Sequence, residues 1–315
     1  MVKIDLITGF LGSGKTTFIK KYVKYLVSQG EKICILENDY GAINVDMMLL
    51  QEVAGDNVNL EMLVCGGDID CHKRRYKTKL ISMGMLGYTR VIIEPSGIYD
   101  VDEFFDVLYE EPLDRWYEIG NVITIVDSKI DDDLSKESNY LLASQAANAG
   151  IIMLSRTQEV DDGRVDKTIA HVNKALSDIH CNRTIDSIAV RKNWDELTDD
   201  DYNKIRNSGY VHSDYEKLPI DRDEGYKSLF YMNMKLTRQD IEERIQKIFA
   251  DDECGGVFRI KGFMEISENN WIELNATRKE MEVKPIDKGQ DVIIVIGEHL
   301  NKEKISGYFP EGLSV

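Results

Sequence analysis

Gly9-Phe10-Leu11-Gly12-Ser13-Gly14-Lys15-Thr16 matches the pattern G-x-x-x-x-G-K-[ST]. In that pattern a glycine-rich turn offers successive backbone N–H groups to phosphate oxygens, and the helix that follows adds the positive end of its dipole. Lys15 is placed to reach the β- and γ-phosphates of a nucleoside triphosphate, and the Thr16 hydroxyl to coordinate a Mg²⁺ ion bridging them. Gly12, Ser13, Gly14 and Thr17 complete the expected cradle. The competing reading, a glycine-rich turn that binds nothing, is disfavoured by context: a strand-like run precedes the motif and an amphipathic stretch, Thr17 to Ser28, follows it.

Such a site needs a second acidic element at the end of a neighbouring strand. Val91-Ile92-Ile93-Glu94-Pro95-Ser96-Gly97 supplies an apolar run finishing in a carboxylate that can hold Mg²⁺ directly or through water. Gly97 has no Cβ, so its N–H can approach a γ-phosphate and sense its presence. Glu94 could instead cap the Ser96/Gly97 turn. Adjacency to the phosphate loop separates the two.

Short β-rich runs at Lys3 to Thr8, Lys32 to Glu37, Arg90 to Glu94, Asn121 to Asp127 and Gly150 to Ser155 alternate with helix-like stretches. The latter are Lys15 to Ser28, His72 to Leu86, Val101 to Tyr109, Asp132 to Asn148 and Val165 to Ser177. Strand spacings of about 25 to 35 residues predict βα units around a mainly parallel sheet, an α/β P-loop NTPase domain. From Tyr226 the pattern changes to Ser228 to Met234, a helical Arg238 to Phe249, and strand-like Gly256 to Glu265, Trp271 to Ala276 and Val292 to Gly297. This predicts a small C-terminal α+β domain. The polar stretch Ser208 to Gly225, with Gly209, Pro219 and Gly225, reads as a linker, so the expected divisions are 1–210, 211–225 and 226–315.

With 315 residues, 43 % of them hydrophobic, the chain can bury two cores. Its net charge of −17 predicts neither nucleic acid nor an anionic membrane as partner, because both would repel it. The N-terminus enters a strand without signal-peptide features, and no apolar run approaches the roughly 20 residues of a membrane helix, so a cytoplasmic location is expected. The five cysteines, Cys34, Cys65, Cys71, Cys181 and Cys254, read as reduced thiols, which leaves the close pair Cys65/Cys71 to be explained.

Three segments together resemble the CobW-type GTPases, relatives of the urease and hydrogenase accessory GTPases: GFLGSGKTT from Gly9, ENDYGAINVD from Glu37 to Asp46, and EPSG from Glu94 to Gly97. VFRIKGFM from Val257 and IIVIGEHL from Ile293 resemble that family's second domain, so the resemblance covers nearly the whole chain. It implies a protein that changes shape on binding and hydrolysing Mg²⁺-GTP, slowly until a partner or metal completes the site. It also implies that Glu37 and Asp39, in the first switch, organise Mg²⁺ or the attacking water. Taken by themselves, Glu37 and Asp39 are acidic residues following a strand and would suit a solvated loop equally well.

Two departures from the family matter. Where it carries Gly-Cys-x-Cys-Cys, this chain has Gly67-Asp68-Ile69-Asp70-Cys71. Exchanging two thiolates for carboxylates shifts preference from thiophilic ions toward harder ones. Cys65, Asp68, Asp70, Cys71 and His72 still offer more donors than four-coordinate binding needs, a candidate site for Zn²⁺ or Co²⁺. The same residues also suit a helix cap by Asp68 or Asp70, with Cys65 packed as a small hydrophobe. Where the family reads Asn-Lys-x-Asp after a strand, this chain reads Ser155-Arg156-Thr157-Gln158. A carboxylate there accepts from guanine N1–H and N2–H, whereas Gln158 has one acceptor oxygen. Losing one charged hydrogen bond of about 1.5 to 3 kcal/mol lowers guanine selectivity roughly tenfold to a hundredfold. Ser155, Arg156 and Gln158 remain nucleotide-binding candidates, Arg156 through its stem stacked on the base.

The expected function is a P-loop nucleoside triphosphate hydrolase, with GTP as substrate and Mg²⁺ as cofactor. It would act as a metal chaperone or metal-cofactor insertion protein on a metalloenzyme or corrinoid protein client. The carboxylates in the cysteine motif leave open an interaction protein that acts on a corrinoid enzyme without carrying a metal ion. A small-molecule kinase would need an acceptor pocket and usually a basic lid. The tryptophans, Trp194 included, read as core packing.

Overall fold

The computed structural model describes residues 1–39, 45–64, 69–99, 101–218, 226–234, 236–287 and 289–314. The side chains of Asp39, Val45, Asp46, Val64, Ile69 and Asp70 lie outside that description. Along the first part run β1 (Val2–Thr8), α1 (Lys15–Ser28), β2 (Ile33–Asp39), α2 (Val45–Leu50), β3 (Val58–Val64), α3 (Ile69–Gly84), β4 (Arg90–Pro95) and α4 (Val101–Leu108). They continue as α5 (Leu113–Trp116), β5 (Tyr117–Asp127), α6 (Lys136–Ala147), β6 (Ile151–Ser155), α7 (Asp162–Asp178), β7 (Ala189–Val190) and α8 (Asp199–Arg206). Then follow β8 (Tyr226–Met232), α9 (Arg238–Ala250), β9 (Gly256–Ser267), β10 (Asn270–Ala276), β11 (Met281–Ile286), β12 (Val292–Glu298), α10 (Lys302–Tyr308) and β13 (Leu313–Ser314). The chain forms two compact units, Met1–Tyr40 with Leu49–Pro219 and Gly41–Met48 with Ile220–Val315.

In the first unit the described strands form a seven-stranded sheet, ordered β3-β2-β4-β1-β5-β6-β7. Every pairing is parallel. Central strands of such a sheet are covered on both faces and read as continuous apolar runs, as in fully buried β4. On one face α1 lays down Phe18, Ile19, Tyr22, Val23 and Leu26, with Trp194 and Ile205 in the same cluster. Each such side chain contributes about 1.5 to 3 kcal/mol on burial. All the carboxyl ends of these strands face one edge, where an open α/β sheet places its ligands.

Some boundaries differ from those read in the sequence. β3 is not expected from the sequence, because Asn59 and Glu61 interrupt its apolar residues; as an edge strand that among the described residues pairs only with β2, it tolerates that alternation. α3 begins at Ile69 rather than His72, and α6 at Lys136 rather than Asp132. The start of α6 is set by Ser135, whose hydroxyl accepts the Ser138 N–H at 3.0 Å. Residues 208–217 of the stretch read as a linker are tied to the first unit: Ser213 Oγ donates to Ala147 O at 2.7 Å, and the Glu216 N–H to Ile179 O at 2.8 Å. Lys217 pairs with Asp102 at 2.5 Å.

At the amino ends of the strands lies a buried charge network. Asp5 Oδ2 accepts from Arg90 Nη1 at 2.6 Å, and Asp5 Oδ1 from the Asn121 N–H at 3.0 Å and Nδ2 at 2.9 Å. The Arg90 Nε donates to Glu31 at 2.9 Å, and Arg206 reaches Glu31 at 2.6 Å.

The second unit carries an antiparallel sheet, β11-β10-β9-β12-β8-β13, six-stranded among the described residues. Packed on it, α9 buries Ile241, Ile245 and Ile248, and α10 buries Ile305. The start of α9 is a capping box, Thr237 and Asp240. At the head of β12, burial pushes the Asp291 carboxyl up to about 6. A raised carboxylate contributes stability that is complete below its unfolded value near 4 and is lost as pH rises through about 6. Asp291→Asn should therefore stabilise the second unit at pH 7 by about 1 kcal/mol after discounting for solvent, with no gain below about pH 4. Thermal melts at the two pH values test this; an equal gain at both would refute it. No helix among the described residues is long and apolar enough to cross a membrane.

Candidate functional site

The phosphate loop connects β1 to α1. Its turn needs backbone conformations that favour glycine: Gly14, at the N-cap of α1, has φ 101°, and Gly12 has φ 77°. The Ser13 N–H donates to Phe10 O at 3.1 Å and closes the curl. Lys15 bends back so that Nζ donates to Gly9 O at 3.0 Å, across the mouth of the loop.

Because β4 pairs with β1 through Leu6↔Ile93, Glu94 comes to the phosphate loop at the carboxyl edge. Its Oε1 accepts from Thr16 Oγ1 at 2.8 Å. Register places Glu37 of β2 beside Glu94, and the two are 2 % and 3 % exposed. Two buried carboxylates and a hydroxyl form an oxygen donor set suited to Mg²⁺. Asp39 ends β2, with its side chain outside the described residues.

Gly97 has its own steric reason to be glycine. A Cβ there would lie 2.7 Å from Leu11 N and 2.8 Å from Leu11 Cα, so the turn after β4 presses directly on the phosphate loop. Gln145 Nε2, from α6, donates to Gly97 O at 2.8 Å and holds it there. Sequence reasoning missed Gln145. Its signal was a lone buried amide in the apolar run Leu141 to Ala147.

On the other flank, the end of β6 and the loop after β7 approach Gly14. A Cβ on Gly14 would meet Ser155 Cβ at 3.7 Å and Trp194 Cη2 at 3.5 Å. Trp194, read as core, does pack edge-on against Phe18, with ring centroids 5.4 Å apart, but it also borders the phosphate loop. Thr8 Oγ1, Ser13 Oγ, the Asn38 amide, Ser155 Oγ and Trp194 Nε1 are buried with no hydrogen-bond partner among the described residues, all at this edge or beside it. Buried polar atoms of this kind suit a polar ligand. Arg156 has φ 55° and pairs with Asp127, which sits beside Ser155 in register. Gln158 lies exposed in the short 3₁₀ turn Thr157–Glu159.

Of the candidate transition-metal donors, Cys65 and Asp68 lie outside the described residues, and so does the side chain of Asp70. Asp70 and Cys71 are in the first turn of α3. Cys71 is half-buried. His72 is buried and stacked on Tyr76 at 6.4 Å, and burial holds its imidazole below the ordinary value. Cys34 is a core thiol, pushed up to about 12 by burial and therefore inert.

Against known families, residues 3–185 match the model described as CobW/HypB/UreG, nucleotide-binding domain. Residues 230–311 match the cobalamin synthesis protein cobW C-terminal domain. The zinc chaperone YjiA of Escherichia coli is 26 % identical over 181 residues, covering 55 % of each chain. The zinc chaperone YeiR of the same organism is 30 % identical over 159 residues, covering 50 % of this chain and 47 % of that protein. Zinc-regulated GTPase metalloprotein activator 1 of Dictyostelium discoideum is 26 % identical over 306 residues, covering 84 % of this chain and 63 % of its own. The chain thus spans about half the length of the two bacterial relatives it matches. With the nucleotide-binding model spanning more than half of its residues and the C-terminal model most of the second unit, the chain belongs to the CobW/HypB/UreG family.

Proposed function

We propose that the chain is a Mg²⁺-dependent nucleoside triphosphate hydrolase, GTP being the family's nucleotide, that works as a metal chaperone or metal-cofactor insertion protein. The observation that carries this reading is the Thr16–Glu94 hydrogen bond, which joins the phosphate loop to a buried strand-end carboxylate, with Gly97 pressed on Leu11 beside it. Thr16 and Glu94 would hold Mg²⁺, which when bound neutralises charge on the β- and γ-oxygens. Lys15 would neutralise the same phosphates from the opposite side. Glu37 and Asp39, at the carboxyl end of β2, would orient the attacking water. Contact between Gly97 and the loop makes the turn after β4 responsive to the γ-phosphate. The metal side of the proposal draws support from relatives named as zinc chaperones and from Cys71 and His72 on the first turn of α3. Its client would be a metalloenzyme or a corrinoid protein.

The test is a titration of the protein with a fluorescent GTP analogue and Mg²⁺, with and without Zn²⁺ or Co²⁺, using Lys15→Ala as the blank. Nucleotide binding that Lys15→Ala abolishes, and whose affinity a second metal shifts, is the expected result, and linkage requires the nucleotide to shift metal affinity equally. Nucleotide binding untouched by any second metal would favour the interaction protein that carries no ion. Binding unaffected by Lys15→Ala would refute the hydrolase itself.

A further inference from the structure

The orientation of a bound nucleotide follows from what flanks the phosphate loop. Glu94 and Gly97 stand on the β4 side of β1, at Thr16 and Leu11. Ser155 and Trp194 stand on the β5-β6-β7 side, both against Gly14. A triphosphate whose metal-bound end lies at Thr16 and Glu94 must therefore run across the loop toward the second flank. Its base then falls between the loops that follow β6 and β7.

Reading guanine there requires an acceptor, best a carboxylate, for two adjacent donors, N1–H and N2–H. The carboxylates around these loops are engaged elsewhere. Asp127 pairs with Arg156, and Glu159 with Lys129. Asp195 pairs with Lys21 at 2.5 Å. Asp161 is taken up as the N-cap of α7, where it accepts the Arg164 N–H at 2.7 Å, and Glu196 is exposed in the 3₁₀ turn Trp194–Glu196. Gln158 is the exposed amide of the β6 loop, and an amide offers one acceptor and one donor group. Facing guanine, its NH₂ meets a second donor. Facing adenine, the same NH₂ can donate to N1, an acceptor that a carboxylate would repel. Exchanging charge for amide thus removes the preference for one purine and the rejection of the other together.

We propose that the base site takes ATP at least as well as GTP, with Gln158 as the residue that sets the choice. The inference rests on the reading of the chain as a nucleotide hydrolase. The experiment is calorimetric titration of the full chain with the imido analogues of ATP and GTP in Mg²⁺. Gln158→Asp, Glu196→Gln and Lys15→Ala are compared with the parent. The parent should bind the ATP analogue as tightly as the GTP analogue or tighter, and Gln158→Asp should move the ratio toward GTP by roughly tenfold to a hundredfold. Glu196→Gln should leave the ratio in place. A parent preference for GTP of roughly tenfold or more overturns the proposal. So does a ratio that ignores Gln158→Asp or follows Glu196→Gln. If the parent binds neither analogue better than Lys15→Ala does, the hydrolase reading itself fails and the inference falls with it.

Discussion

Glu94→Gln should slow single-turnover phosphate release by roughly 10²- to 10³-fold, the loss typical of removing one preorganised charged or polar group from a reacting centre. Binding of the Mg²⁺-nucleotide should weaken far less, by about tenfold, because the backbone amides of the loop and Lys15 still hold the phosphates. The substitution keeps shape and hydrogen-bonding capacity at a position 3 % exposed, so the fold should survive. What it removes is a negative charge beside the Thr16 hydroxyl, where the hydrogen bond is 2.8 Å. Metal removal supplies an independent readout: chelation should weaken nucleotide binding by the parent more than by the variant. Phosphate release within about threefold of the parent would mean that Glu94 merely closes the turn at Ser96 and Gly97, and that the charge at the centre comes from Glu37.

Local chemistry made part of this site legible. The phosphate loop is written in consecutive residues whose types have one joint use, and the apolar run Val91 to Ile93 announces a strand that must end at Glu94. What escaped reading is what long-range packing decides. Gln145 reaches Gly97 from a helix 48 residues further along, and Trp194 borders Gly14 from the loop after a two-residue strand. Neither residue type carries a motif. Asn38, its amide buried without a partner among the described residues, sits within the switch-like segment between the two carboxylates that drew the reading. The second unit was visible as a change of period, whereas β11 and β13 were not: Pro285 cuts short the alternation Met281-Glu282-Val283-Lys284, and β13 is two exposed residues.

Arg90→Met should destabilise the first unit by about 3 to 5 kcal/mol, lowering its melting temperature by roughly 6 to 20 °C. Asp5 and Arg90 are 0 % and 1 % exposed, and the network binds β1, β4, β5 and α8 at the edge remote from the phosphate loop. Methionine fills much of the apolar volume of the arginine stem but leaves Asp5 without its cation. Glu31 fares better, since Arg206 still reaches it at 2.6 Å. Even in the parent, burial holds the Asp5 carboxyl above its ordinary value, against the pull of Arg90, Asn121 and Tyr22. With Arg90 gone, burial acts almost alone and raises it further. A raised carboxylate loses its stabilising contribution as pH climbs through its folded value, so the deficit of Arg90→Met should be largest at neutral pH and shrink on acidification. Adding Asp5→Asn removes the stranded charge and keeps an oxygen for the Asn121 donors, and the double variant should recover most of the loss at pH 7. Melting curves for the parent, both single variants and the double variant at pH 7 and pH 5 decide the matter. An Arg90→Met deficit that neither acid nor Asp5→Asn relieves would assign the loss to packing of the arginine stem instead of to the charge on Asp5.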